Sequence, residues 1–249
     1  MRRTALAAAA GNRARHPTEP AGPTVVFADS FESGDFTAWG GCQWKGRNDD
    51  CQLYNGTSDY SATVVADGDR PQVARFEVRD GDVPPFGGGE RSEITAPGVA
   101  DVVANDERWI SWDMFLDPDF PPPSTGNFFL VWQWHHTASD SGSPPVCLDI
   151  NDAGHMIFAN NDLSGYTRTD LGPIVTGVWR HYNVHVIFNE DPDLGLAEIW
   201  IDGALQSSLH RPTMVVGDPG CYFKMGLYRD VEETATAIIM HDNLRITAP

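Results

Sequence analysis

Three short stretches of the 249-residue chain carry polar side chains at every second position inside otherwise apolar strings. In ERSEI (90–94) these are Arg91 and Glu93, in VWQWHH (131–136) Gln133 and His135, and in YFKMGLYR (222–229) Lys224 and Tyr228, with Gly226 between them. Side chains alternate in direction along a strand, so each set shares one face. Trp132, Trp134 and His136 then point the other way, as do Phe223, Met225 and Leu227, toward a core. A guanidinium, an amide and an imidazole are donors that neutralise an anion, while an imidazole and a phenol exchange protons once a site shifts their pKa. Gly226 leaves room for another molecule to approach. Taken singly, each residue reads as a satisfied strand residue, and Arg91 with Glu93 as a plain surface ion pair. Agreement in phase across three strings is what points to a site.

The elements that must position these residues are short strands. Runs rich in β-branched and aromatic residues alternate with Gly/Pro/Asp clusters, and no stretch keeps a helical apolar period. The pattern predicts strands at 24–31, 62–66, 72–79, 90–96, 108–116, 127–136, 146–150, 155–160, 179–188, 196–203, 221–229 and 237–246. A dozen strands with turn-rich connections and one composition zone predict a single all-β sandwich of two antiparallel sheets. Asp202-Gly203 marks a hairpin, and the acidic stretch with Asp191 and Asp193 a turn between two strands. Residues 1–23 are expected to be a flexible leader or the remnant of an export signal, and 24–249 the folded domain: two arginines precede an alanine-rich run that is short for a signal peptide.

Charge narrows the partners. Seventeen basic residues against 35 acidic ones give a formal charge of −18, and Lys45 and Lys224 are the only lysines. A nucleic-acid or anionic-membrane binder would need a basic face, so neither partner is expected. An acidic polymer held by a few arginines in one groove stays open. Of the four cysteines, Cys42 and Cys51 bracket a polar loop that suits a short disulfide in an oxidising compartment. Cys147 and Cys221 would pair if their strands are neighbours, the alternative being buried free thiols. No paired C-x-x-C spacing marks a zinc site. Asn55-Gly56-Thr57 is a glycosylation sequon.

The strings Arg91-Ser92-Glu93, Gln133-Trp134-His135 and Tyr222-Phe223-Lys224-Met225-Gly226-Leu227-Tyr228 resemble, in this order, the three signature strands of the jelly-roll polysaccharide lyases, alginate lyases among them. The flanks FADSFESGDFTAW and HDNLRI look more like the glucuronan-lyase and heparin-lyase-I relatives. The likeness runs from about Thr24 to Ile246; Ile94 stands where those families have Leu, and Arg229-Asp230 where alginate lyases often have Asn-Gln. It implies a concanavalin A-like jelly roll and a secreted, monomeric enzyme that cleaves a uronic-acid polymer by β-elimination, glucuronan-like first and alginate second.

Such an elimination takes the proton at C5, beside the sugar carboxylate, and expels the oxygen at C4. The carboxylate opposes a second negative charge forming next to it, so donors must neutralise it; Arg91, Gln133 and His135 are the candidates. The resemblance gives Tyr228 the role of acid and, in syn elimination, of base as well, with His135 as base for an anti substrate. Lys224 and Glu93 are expected to bind substrate, and Lys45 with Arg47 to form a second basic lip, unless they are solvated loop charges. His136, His181 and His185 are not expected in the chemistry. No cofactor is required, but the resemblance implies a structural calcium on Glu32, Gly34 and Asp242, all oxygen donors, against the plainer reading of an ordinary turn. Two other functions compete: a non-catalytic carbohydrate-binding sandwich, which has no need of the four polar residues in phase, and a glycoside hydrolase, whose usual Glu-x-Asp-x-Glu strand is absent.

Overall fold

The computed structural model describes residues 22–53, 57–137, 142–161 and 166–249. Most of the expected leader, 1–21, and Asn55 of the sequon lie outside them. Strands are labelled in chain order. One eight-stranded sheet runs β14 (Ala204–His210), β13 (Leu196–Ile201), β12 (Trp179–Ile187), β7 (Glu107–Leu116), β16 (Ala237–Ala248), β5 (Arg70–Val78), β4 (Ala62–Asp67), with β1 (Thr24–Asp29) paired to the end of β16. The second, also of eight, runs β11 (Tyr166–Pro173), β10 (His155–Asn161), β9 (Val146–Asn151), β8 (Phe128–His136), β15 (Cys221–Arg229), β6 (Glu90–Thr95), β2 (Gly41–Trp44), β3 (Arg47–Asp49). The sheets are antiparallel and pack as the expected jelly-roll sandwich, and no α-helix occurs among the described residues.

Alternation builds the core. In β7, Ile110, Trp112, Met114 and Leu116 are buried while their neighbours are less so, the signature of a strand with one face inward. Trp112 from the first sheet stacks on Trp132 from the second, ring centroids 5.6 Å apart and planes 4° from parallel. Trp134 packs edge-on against Phe188 and Phe223. These rings bury a large apolar area between the sheets and fix the inward face of β8 and β15.

Four strands lie outside the predicted ranges. β2 and β3 form a hairpin inside the cysteine-bracketed loop; β11 and β14 are too polar for apolar alternation to reveal, β14 being exposed at six of its seven positions. The Asp202-Gly203 hairpin is present, both residues adopting positive φ (51° and 78°).

One cysteine expectation is met and one is corrected. Cys42 and Cys51 are disulfide-bonded, whereas Cys147 and Cys221 are free and buried. β9 and β15 are not neighbours: β8 lies between them, pairing Gln133 with Cys147 on one side and His136 with Cys221 on the other. Cys221 belongs to the inner core, while Cys147 sits with Leu130, Ile157 and Ala159 on the opposite face of the sheet.

Candidate active site

β8, β15 and β6 are consecutive in the second sheet, so the three polar strings become one surface. Register aligns Tyr228 with Arg91 and Leu130, and Lys224 with Gln133. A bulge lets this happen. Between Leu130 and Trp132 the ladder slips, and Val131 and Trp132 both face the core, so Leu130 and Gln133 share the outer face although three positions apart. Gly226 has φ +133°, and a Cβ there would lie 2.2 Å from the Ser92 carbonyl oxygen. Only glycine lets β15 pass that close to β6 between Lys224 and Tyr228.

Glu93 is the hub, 1 % exposed. Lys224 Nζ donates to its Oε2 at 2.6 Å, Arg91 Nη1 to the same oxygen at 3.1 Å, and Gln133 Nε2 to Oε1 at 2.6 Å. Burial by itself would raise the Glu93 carboxyl, but the charges of Lys224 and Arg91 and these hydrogen bonds outweigh it and lower its pKa. Burial lowers the pKa of Lys224, with Glu93 opposing. Arg91 also donates to the Gly88 carbonyl at 2.6 Å, and its Nε has no partner. Arg91 and Gln133 thus arrive in fixed orientations, each with N–H groups left over for a ligand.

Above this buried layer opens a cleft of about 360 Å³, lined by Arg91, Gln133, His135 and Tyr228 together, with Leu130 and Phe128 beside them and Cys147, Asp149 and Arg168 across it. The Arg91 guanidinium stacks 4.1 Å from the Tyr228 ring centroid, and Phe128 meets the same ring edge-on at 5.5 Å. Desolvation raises the phenol's pKa, with Arg91 opposing, so Tyr228 holds its proton at neutral pH. Burial lowers His135 to about 4, leaving a neutral imidazole. Its Nδ1 lies 2.8 Å from the His136 carbonyl oxygen, which fixes the proton there and leaves Nε2 with a free lone pair. A neutral imidazole, a protonated phenol and two anchored donors therefore share one hollow.

Other expected residues lie elsewhere. Lys224, 2 % exposed, sits beneath the cleft bound to Glu93 rather than along it. Lys45 pairs with Asp82 at 3.6 Å, and Arg47 donates to the Leu53 carbonyl; both line a separate hollow with Trp44 and Tyr60. Two of the implied calcium ligands have protein partners. The Asp242 carboxylate is ion-paired with Arg70, and the Glu32 backbone carbonyl accepts from Gln72 Nε2 at 3.0 Å. Among the described residues no cluster of three or more His, Cys, Asp or Glu is arranged to hold a metal.

Sequence reasoning missed Asp149, Arg168 and Tyr222. Asp149 interrupts the apolar string VCLDI as Lys224 interrupts its own, a usable signal; Arg168 lies in the polar β11, which gives none. Tyr222 packs on His135 at 5.2 Å, and burial pushes its phenol up to about 12.

A family model described as Polysaccharide lyase matches residues 31–245. Among solved structures, the chain is similar to an endo-β-1,4-glucuronan lyase from the fungus Trichoderma reesei (15 % identity, 91 % of this chain and 96 % of that one, TM-score 0.66). It is also similar to a family 7 alginate lyase solved with product (16 %, 89 % and 99 %, 0.64) and to an alginate lyase from Pseudomonas aeruginosa (19 %, 86 % and 100 %, 0.61). No curated protein matches the chain significantly.

Proposed function

The chain belongs to the polysaccharide lyase family, and from that premise we propose that it cleaves a uronic-acid polymer by β-elimination, glucuronan-like first and alginate second. The observation that carries this reading is the convergence of Arg91, Gln133, His135 and Tyr228 on one cleft above the Glu93–Lys224 pair.

Arg91 and Gln133 donate to the uronate carboxylate and hold the charge that spreads onto it as the C5 proton leaves. The C4–O bond then breaks, a C4=C5 double bond forms, and the expelled oxygen takes a proton from Tyr228. Glucuronate and mannuronate present proton and leaving oxygen on the same side, so Tyr228 serves as base and then acid, the guanidinium over its ring stabilising the phenolate. Guluronate and iduronate present them on opposite sides, and the neutral His135 Nε2 is then the base. Side chains fill every role, and no cofactor enters. The Cys42–Cys51 disulfide supports an extracellular setting, and we take the working unit as a monomer.

Incubation with glucuronan, alginate and heparin, followed by the ultraviolet absorbance of the unsaturated uronate, tests the proposal. A rise with one polymer, abolished in Tyr228→Phe, is the expected result. New reducing ends without absorbance would mean hydrolysis, and binding without cleavage would mean a carbohydrate-binding module.

A further inference from the structure

Lys224 is too deeply buried to meet a second sugar acid, so a polyuronate needs another cation beside the reacting residue. The register of the second sheet offers one. Lys224, Gln133, Cys147, Ala159 and Arg168 form a single cross-strand row over β15, β8, β9, β10 and β11. Arg91, Tyr228, Leu130, Asp149 and Ile157 form the row beside it. With strands spaced about 4.8 Å apart, the Arg168 backbone stands roughly 14 Å from Gln133 along its row, and its guanidinium reaches back over β10 to Asp149 on β9. Between Arg168 and Gln133 lie Cys147 and the fully buried Ala159, two small side chains, with Leu130, Asp149 and Ile157 alongside. The guanidinium thus lies back over the small side chains of this row and forms the wall of the cleft across from Arg91, with Leu130 and Cys147 between them.

Arg168 is held in place. Its Nη2 donates to Asp149 Oδ1 at 2.7 Å, while its own side chain remains 41 % exposed and Asp149 is 5 % exposed. Burial raises Asp149 to about 6, with Arg168 opposing, so the carboxylate stays largely ionised at neutral pH and holds the guanidinium as an ion pair. Among the side chains lining the cleft, the cations are Arg91 and Arg168.

We propose that Arg168, oriented by Asp149, binds the carboxylate of a uronate adjacent in the polymer to the one being cleaved, at the wall of the cleft opposite Arg91. The inference rests on the polyuronate-lyase reading. It makes Arg168 a substrate-binding residue and Asp149 a positioning residue, and it makes recognition depend on at least two successive acidic sugars.

The test is steady-state kinetics of wild type, Arg168→Gln and Arg168→Lys on whichever of glucuronan, alginate and heparin gives absorbance. Alongside it, tetrasaccharides of β-1,4-glucuronate and of alginate are titrated onto Tyr228→Phe with and without Arg168→Gln. Loss of one charge-assisted contact should raise KM about tenfold, with kcat falling less than twofold, Arg168→Lys should recover part of the loss, and tetrasaccharide binding should weaken by a similar factor. If Arg168→Gln leaves Asp149 uncompensated and unfolds, Arg168→Gln/Asp149→Asn gives the same readout. Turnover with an unchanged KM overturns the subsite and leaves the lyase reading standing. Tetrasaccharide binding that needs Arg168 in a protein without turnover supports the subsite and removes the lyase reading. No binding and no turnover removes both.

Discussion

Lys224 Nζ lies 2.6 Å from Glu93 Oε2, and both side chains are 2 % exposed. A pair this deep is weak evidence for stability in itself, but breaking it leaves a charge buried alone, at about 3–5 kcal/mol. Lys224→Met and Glu93→Gln should each lower the denaturation midpoint clearly. They should also reduce kcat, since Arg91 and Gln133 both rest on the Glu93 carboxylate. Chemical denaturation and initial rates check this, and a variant with normal kinetics would remove Glu93 from the positioning layer.

Tyr228→Phe removes one hydroxyl from a half-buried ring and should leave stability within about 1 kcal/mol of wild type, as expected for a change that creates no cavity. Turnover should vanish. With a same-side substrate, log(kcat/KM) of wild type should climb toward alkaline pH, because the phenol's pKa is raised and the phenolate is the base. With an opposite-side substrate, activity should persist down to about pH 4, where His135 gains its proton. A pH–rate profile on each polymer separates the two, and His135→Asn should abolish only the second.

Gly89 has φ +98°, and a Cβ there would lie 2.4 Å from Tyr228 Cε2 and 2.7 Å from the Arg229 carbonyl oxygen. Gly89→Ala should therefore displace the phenol and lower kcat at least tenfold. Overpacking should cost about 1–3 kcal/mol of stability. Unchanged kcat in a folded variant would show that the ring tolerates the shift.

Acid should destabilise the fold through its buried histidines. His241 is fully buried, and burial pushes it down to about 3, against the backbone of Gly226; His135 follows at about 4. A histidine with a depressed folded pKa contributes stability that is complete above its unfolded value, about 6.5, and is lost as pH falls toward the folded value. Asp149, raised to about 6, acts the opposite way, its contribution fading as pH rises from about 4 to 6. The melting temperature should fall as pH drops below about 6.5, less steeply in His241→Leu and more steeply in Asp149→Asn.

Thiol titration of the native protein should find no reactive group, since Cys147 and Cys221 are both buried and burial raises both thiol pKa values. After unfolding without reductant, two thiols should appear. Four would mean that Cys42 and Cys51 are reduced, and none that a second bridge exists.

Much of this was legible because strand alternation writes itself into the sequence. The parity of Lys224, Gly226 and Tyr228 against Phe223, Met225 and Leu227 is the parity observed. What stayed hidden depends on strand order. Nothing local says that β8 separates Cys147 from Cys221, or that Lys224 turns down to Glu93 rather than out to a ligand. β11 was invisible because it is an edge strand, its described positions exposed or half-buried, which calls for no apolar alternation, and Arg168 was hidden with it.

The inward rings of β8 and β15 rivet the two halves of the molecule, while the outward positions of the same strands line the cleft. Two inheritances therefore travel on one stretch of chain without interfering. Replacing Phe128 or Leu130 with larger or more polar groups would reshape the cleft while leaving the tryptophan stack untouched. Such a scaffold can change its diet by single steps.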